Sequence, residues 1–355
     1  MSDNKDDISQ QLQQHIEQAY ADNTALKICG GGSKDFYGRN IQGESINLAE
    51  HRGIINYEPT ELVITARAGT RLSEIENTLS EEGQMLGFEP PYFAASATLG
   101  GTVACNFSGP RRPYRGAARD YVLGCNIING KAEQLHFGGE VMKNVAGYDV
   151  SRLMCGAMGT LGVLLDVSLK VIPRPEAEST VVLECDVQTA IDQMQHWVQQ
   201  SLPVSATSYA DGKLYIRLAS NEASVKAAHK TIGGELTNDN EYWQQLKEQQ
   251  HAFFDTEMSI WRLSLAPNAP PLNLQGDTVY DWGGALRWLR SNESADKIRH
   301  TLESLGGHAT LFKNNSSQLD PFHELGSGIH TMHRQLKQAF DPANILNPGR
   351  MYADI

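Results

Sequence analysis

Three runs of glycine and other small residues give this chain most of the chemistry its backbone can offer. Cys29-Gly30-Gly31-Gly32-Ser33, followed by Lys34, closes a strand-like stretch that begins at Ala25. Ala94 to Gly109 reads AASATLGGTVACNFSG, and twelve of its sixteen residues are Ala, Gly, Ser, Thr or Cys. Gly156 to Gly162 reads GAMGTLG. Runs so poor in side chain cannot build a thick core; they let main chain approach other main chain or something large and flat. Gly100, Gly101 and Gly109 are free to take positive φ and to leave amide N–H groups uncovered. Successive uncovered N–H groups form a nest for an anion such as a pyrophosphate. Each run adjoins an apolar stretch, so together they point to one extended ligand held by main chain, and FAD is the ligand expected. The triple glycine alone has a second reading, a simple turn. It is not a G-x-G-x-x-G fingerprint, because Asp35 stands at the last glycine position, and no Gly-Lys-Ser/Thr follows at Walker spacing.

The elements that must position these runs are legible in part. Ile8, Leu12, Ile16 and Ala19 repeat at helical spacing. Leu62 to Ala68 reads as a strand, and Thr70 or Ser73 as the start of a helix, with Glu76 completing a capping box to Ser73. Leu72, Ile75 and Leu79 line that helix, and Gly83 stops it. Leu123–Ile128, Asn129-Gly130 and Ala132–Phe137 read as a hairpin with a type I′ turn. Val163, Leu165, Val167, Leu169 and Val171 alternate as a half-buried strand, which Pro173-Arg174-Pro175-Glu176 ends as a linker. Arg111-Arg112-Pro113-Tyr114-Arg115 is a basic loop, either a partner for phosphate or carboxylate or a solvated surface turn. Beyond the linker, Ile191, Met194, Trp197 and Val198 form a core stripe and Asp211-Gly212 joins two strands. Asn221 and Ser294 cap two helices that end at Gly233-Gly234 and Gly306-Gly307, each followed by a strand-like run. This repeat, near 222–236 and 295–313, suggests a duplicated, ferredoxin-like half. His330 to Phe340 is helical and Asp341-Pro342 stops it.

Composition narrows the class. The chain has 355 residues, 40% hydrophobic and 20% charged, with a formal charge of −12. That length suits two domains, and the acidity argues against nonspecific nucleic-acid binding. No run is long and apolar enough for a transmembrane helix, and the polar N-terminus does not read as a secretory signal. Cys29, Cys105, Cys125, Cys155 and Cys185 form no C-x-x-C pair, so no iron–sulfur or zinc site is expected, and the set fits reduced cytoplasmic thiols.

The segments ICGGGSK (28–34), ATLGGTVACNFSGPRR (97–112), RDYVLGCNIINGKAEQLHFGG (119–139), KNVAGYDVSRLMCGAMGTLGVLLDVSLKVIPRP (143–175) and FDPANILNPGRM (340–351) resemble the vanillyl-alcohol oxidase / p-cresol methylhydroxylase flavoproteins. Within that family they are similar to the FAD-binding subunits of glycolate oxidases. The resemblance implies an α+β fold: a two-subdomain FAD-binding domain of the p-cresol methylhydroxylase type at 1–175, a smaller ferredoxin-like cap at 176–339, and a tail at 340–355 returning to the FAD. It implies that Gly30, Gly31, Gly32, Ser33 and Lys34 hold the pyrophosphate. Thr98, Leu99, Gly100, Gly101, Thr102, Cys105, Ser108 and Gly109 would run along the diphosphate and flavin. Gly159, Thr160, Gly162 and Val163 would lie by the adenine or ribitol, with Asn347 and Arg350 closing the site. Some relatives attach flavin through a His in the pyrophosphate loop; Ser33-Lys34 stand there, so the FAD is expected to be non-covalent. The metal motif H-x-x-G-D-x-N-x-H of related 2-hydroxy-acid dehydrogenases is missing, so no metal is expected, and His330-x-x-His333 reads as surface.

The function implied is an FAD-dependent oxidoreductase subunit acting on glycolate or a similar 2-hydroxy acid. Its expected partners are a second FAD subunit and an iron–sulfur subunit; it would be cytoplasmic and touch membrane only through partners. Two other readings stay open: a stand-alone FAD dehydrogenase for another small substrate, and a non-catalytic FAD-bearing scaffold or electron relay beside a catalytic paralogue. Hydride chemistry needs a cofactor, because no side chain accepts hydride. Arg is the natural carboxylate clamp, and Arg287 in WGGALRW (282–288) is the candidate, against an ordinary strand with two core tryptophans. Trp282, Gly283 and Gly284 would let a planar ring approach. Lys143 could stabilise the reduced flavin or be a surface lysine. His136 and His308 are possible bases or structural histidines, and Cys105 and Cys155 read as small packing residues.

Overall fold

The computed structural model describes residues 6–139, 149–237, 240–313 and 319–355. The chain divides into two compact units. One takes the chain up to Phe107, Ala117–Pro173 and Glu324–Ile355; the other takes Ser108–Gly116 and Arg174–His323. These bounds depart from the expected ones twice. Nine residues of the glycine-rich stretch and its basic loop belong with the second unit, and the helix Ser327–Phe340 belongs with the first. The break at Pro173/Arg174 falls in the expected linker.

The first unit is built on a five-stranded antiparallel sheet ordered Ile54–Glu58, Val63–Arg67, Val163–Lys170, Val122–Ile128, Gln134–Gly138. Val163–Lys170 is the central strand. Its alternation reads as half-buried, yet Leu164 and Ser168 on the other face are buried as well. Ser168 is tolerated there because its hydroxyl meets Thr65 Oγ1 at 2.8 Å. The helix Ser9–Asp22 buries Leu12, Ile16 and Ala19, as its spacing requires. Leu72–Glu81 buries Leu72, Ile75 and Leu79, but the expected capping box does not form. Arg71 is the N-cap, and the Thr70 hydroxyl is taken by Gly53 across the chain. The hairpin after Ile128 is not a two-residue turn either. Its loop spans 129–133, Ala132 rather than Gly130 has positive φ, and Asn129 Oδ1 accepts from the amides of Lys131 and Glu133. A separate parallel pair, Leu26–Cys29 with Glu44–Asn47, carries the first glycine run.

The second unit holds an eight-stranded sheet, ordered Glu235–Thr237, Ala177–Glu184, Lys213–Ser220, Val204–Ala210, Asp277–Asp281, Leu286–Arg290, Ile260–Ser264, His308–Lys313. Numbered within each half by chain order, this is 4-1-3-2 followed by 2-3-1-4. The first half is a complete βαββαβ unit with helices Val187–Val198 and Glu222–Ile232. The second half keeps only its second helix, Ala295–Glu303, and has a loop where the first would be. This is the ferredoxin-like duplication, shortened by one helix. Asn221 and Ser294 cap their helices through bonds to Ser224 N and Lys297 N, and Asp211-Gly212, both at positive φ, turn the hairpin between Val204–Ala210 and Lys213–Ser220.

Candidate functional site

The three glycine runs meet inside the first unit, where they line one cleft of about 960 Å³ measured to its open mouth. Gly30–Lys34, one face of the Thr98–Cys105 helix start, and Gly159 with Gly162 supply most of the small-sided wall.

The first run is held open by backbone. Leu26–Cys29 lies between Glu44–Asn47 and the tail, with Leu26 N donating to Ile345 O at 2.7 Å and Asn347 N to Leu26 O at 3.0 Å. Past Cys29 the ladder ends, and among the described residues no main-chain carbonyl accepts from the amides of Gly30, Gly31, Gly32 or Ser33. A Cβ on Gly31 would lie 1.6 Å from Ser96 O, so only glycine fits there. Gly32 has φ +71°. Lys34 is buried beside this nest, its ammonium donating to Ser33 Oγ at 3.2 Å and Tyr92 O at 3.4 Å.

The second run does something different from what its composition suggests. Gly100 and Gly101 are helical, within Leu99–Cys105, and neither they nor Gly109 has positive φ. The helix-start amides are already used: Leu99 N donates to Thr70 O, Gly100 N to Ala68 O and Gly101 N to Thr98 Oγ1. These glycines therefore serve close packing, not phosphate; a Cβ on Gly100 would meet Ala68 Cβ at 2.7 Å. Thr98, Gly100, Gly101 and Cys105 line the cleft, whereas Leu99 and Thr102 point into the core. Burial pushes the Cys105 thiol up to about 11, against the pull of Lys34 and Arg350, although part of the residue faces the cleft. Ser108 and Gly109 belong to the second unit, where Gly109 O accepts from Trp282 Nε1 at 3.0 Å.

In the third run Gly159, at φ +75°, and Gly162 line the cleft. Thr160 turns inward and bonds Ala157 O, and Val163 is a fully buried strand residue; neither lines it. Asn347 and Arg350 do line it, but their polar atoms are spent on the chain. Asn347 Oδ1 accepts from Ile28 N at 2.8 Å and its Nδ2 donates to Met158 O at 2.7 Å, joining the first run to the third. The Arg350 guanidinium donates to the carbonyls of Asp35, Tyr37 and Arg39. The apolar walls at Leu48, Ala68, Met154, Met158 and Leu164 were missed, because each is an ordinary core residue in sequence. Only Ala68, opposite Gly100, left a signal, as a small residue at a strand end.

The candidates for substrate chemistry fare differently. Lys143 lies outside the described residues. Arg287 is fully buried, and its three nitrogens donate to the carbonyls of Gly284, Pro270 and Ala269, with the guanidinium 4.9 Å from the Tyr280 ring. It clamps its own loop and is not a carboxylate fork. Trp282 is buried, with Arg112 and Arg262 over its ring at 4.3 and 5.0 Å. Gly284 is needed because Pro267 O sits 2.6 Å from where its Cβ would be. The basic loop is partly committed to its own unit and partly solvated, with Pro113 and Arg115 exposed. Arg111 is buried and ion-paired with Glu178, and Tyr114 OH meets Thr207 Oγ1 at 3.0 Å. His136 Nδ1 bonds Asn126 Oδ1 at 2.8 Å, and Asn126 in turn donates to both oxygens of Asp166. His308 is exposed at the head of its strand. His330 bonds Asp354, and His333 packs on Tyr352.

A family model described as "FAD binding domain" matches residues 8–138, and one described as "FAD linked oxidases, C-terminal domain" matches 323–351. The chain is 49% identical over 349 residues to "Glycolate oxidase subunit GlcE" of Escherichia coli (strain K12), covering 98% of this chain and 99% of that protein. The chain belongs to the FAD-linked oxidases of the vanillyl-alcohol oxidase / p-cresol methylhydroxylase type. "Glycolate oxidase subunit GlcD" of Bacillus subtilis (strain 168) is 25% identical, covering 99% of this chain and 87% of its own. The solved structure of p-cresol methylhydroxylase with substrate bound superposes with a TM-score of 0.74 at 14% identity, covering 98% of this chain and 87% of that one, which shows the shared fold.

As an FAD-linked oxidase the chain binds FAD, and the cleft fits that ligand. A dianionic pyrophosphate needs clustered donors, and the unclaimed amides of Gly30–Ser33 beside Lys34 supply them. Among the described residues no helix is long and apolar enough to cross a membrane.

Proposed function

We propose that this chain is the FAD-binding subunit of a glycolate oxidase-type 2-hydroxy-acid dehydrogenase assembly, working with a second FAD subunit and an iron–sulfur subunit. The observation that carries the proposal is the near full-length likeness to GlcE, together with a cleft whose donor set suits a flavin dinucleotide. When bound, FAD supplies the hydride acceptor that side chains lack. The chain's own part is to bind and orient. The nest at Gly30–Ser33 and Lys34 would take the pyrophosphate, and the Gly100–Gly101 wall would admit the cofactor close to main chain. Gly159 and Gly162 would line the remaining length, while Asn347 and Arg350 keep the two ends of the cleft in place. We read the FAD as non-covalent, because Ser33 and Lys34 occupy the positions where a linking His would stand. Cytoplasmic residence belongs to the same proposal and fits five free thiols.

One observation favours the relay reading over direct oxidation on this chain. Arg287, the carboxylate clamp that sequence singles out, is committed to its own loop. Lys143, outside the described residues, stays a proposed partner for the reduced flavin. On this reading a GlcD-like paralogue holds the substrate. The test is anaerobic glycolate added to the purified assembly and to the isolated chain. We expect extractable FAD in both, with bleaching in the assembly and little in the isolated chain. Rapid bleaching of the isolated chain would assign the substrate site here, and an assembly that glycolate leaves oxidised would overturn the glycolate proposal.

A further inference from the structure

One buried cation ties together three parts of the molecule that border the cleft. Lys337 is the single buried residue of the helix Ser327–Phe340. Its ammonium donates to Thr160 O at 2.8 Å, to Leu346 O at 2.7 Å and to Asp341 Oδ2 at 2.8 Å. Asp341 is as deeply buried, and its carboxylate also accepts from Ile345 N at 3.1 Å and Leu346 N at 2.7 Å. Thr160 sits between the two cleft-lining glycines of the third run. Leu346 lies in the tail segment that pairs with Leu26, in the strand that leads into the Gly30–Ser33 nest. The pair thus spans helix, third glycine loop and tail.

We propose that Lys337 and Asp341 are a positioning pair for the cofactor: by fixing the Gly159–Gly162 loop against the tail beside the nest strand, they set the affinity for FAD. This rests on the reading that the cleft is the FAD site. A pair of buried charges is a poor source of net stability, since desolvation offsets most of the attraction. What it supplies is geometry, because three acceptors on three segments converge on one atom. A leucine or methionine could fill the space but could not draw two carbonyls and a carboxylate to a point.

The charge gives a readout that plain packing lacks. Burial pulls the Lys337 ammonium below the usual lysine range, and the Asp341 carboxylate pulls it back up. Asp341 is the one charged group acting on it among the described residues. In Asp341→Asn the burial effect acts alone, so Lys337 loses its proton at lower pH than in the parent. The neutral amine has two hydrogens for its acceptors instead of three, so FAD affinity falls as pH rises.

The experiment measures the FAD dissociation constant of the full chain, by flavin fluorescence quenching, from neutral to mildly alkaline pH. Affinity falls as pH rises in parent and variant alike, but in Asp341→Asn at lower pH than in the parent, by about tenfold, the order of a typical coupling between sites. Lys337→Gln, which cannot titrate, is weakened equally at every pH. If Asp341→Asn does not fold, Lys337→Gln decides: unchanged affinity there overturns the proposal. A flat Asp341→Asn profile also overturns it. Lys34→Met, at the nest, separates the two ideas. If it weakens FAD while both clamp variants bind normally, the clamp is wrong and the cleft stands. If no variant weakens FAD, the cleft assignment itself fails.

Discussion

Alanine in place of Gly31 is expected to strip the protein of FAD. The added Cβ would sit 1.6 Å from Ser96 O and 2.6 Å from Ser96 C. Both are main-chain atoms, so no rotamer change relieves the clash, and the first glycine run must part from the second. Strain of this kind costs about 1–3 kcal/mol of stability. The effect on FAD is larger, because the four unclaimed amides of the nest no longer converge. The measurement is flavin absorbance per mole of purified protein, with Gly328→Ala as the control. Gly328 lies in the first turn of a helix with nothing within 4 Å of a new Cβ, so alanine there should keep the full FAD complement. A yellow Gly31→Ala protein with normal FAD content would remove the nest from the cofactor site.

Arg287→Met is expected to damage the second unit's stability rather than substrate binding. The guanidinium is fully buried and holds the carbonyls of Gly284, Pro270 and Ala269. Methionine fills much of the volume but leaves those carbonyls without donors. Hydrogen bonds to a charged group are worth about 1.5–3 kcal/mol each, and the loss leaves desolvated acceptors behind. A total of about 4.5 kcal/mol or more is therefore expected in denaturant unfolding. In the assembly the Michaelis constant for glycolate should change no more than the loss of folded protein explains. A stable Arg287→Met protein with a selectively raised Michaelis constant would restore the carboxylate-clamp role.

These two residues show where reading from sequence stops. The resemblance and the small side chains of its run point Gly31 to a main-chain site, and in the structure it lines the cleft where the main chain at Ser96 leaves no room for a Cβ. Arg287 was assigned from its chemistry, and its neighbours had already used that chemistry. The same contrast holds for Gly100 and Gly101, which look like phosphate donors until Ala68 and Thr70 are found accepting the amides of the helix start. It holds for Asn347 and Arg350, which do reach the cleft but whose polar atoms serve the backbone.

By itself the amino-acid sequence determined what depends on near neighbours. The caps at Asn221 and Ser294, the Asp211-Gly212 turn, the linker at Pro173 and the small-sided runs are local, because a cap or turn satisfies itself within a few residues. The family resemblance rested on the segments around those runs, above all the G-x-x-G-T-L-G-V stretch at 156–163 with the N-P-G-R tail at 347–350. Only the tertiary structure decided which donors remain unclaimed, that 108–116 belongs to the second unit, and that Lys337 touches the third glycine run. A hydrogen-bond partner more than a hundred residues away leaves no mark on the spacing of the residue that uses it.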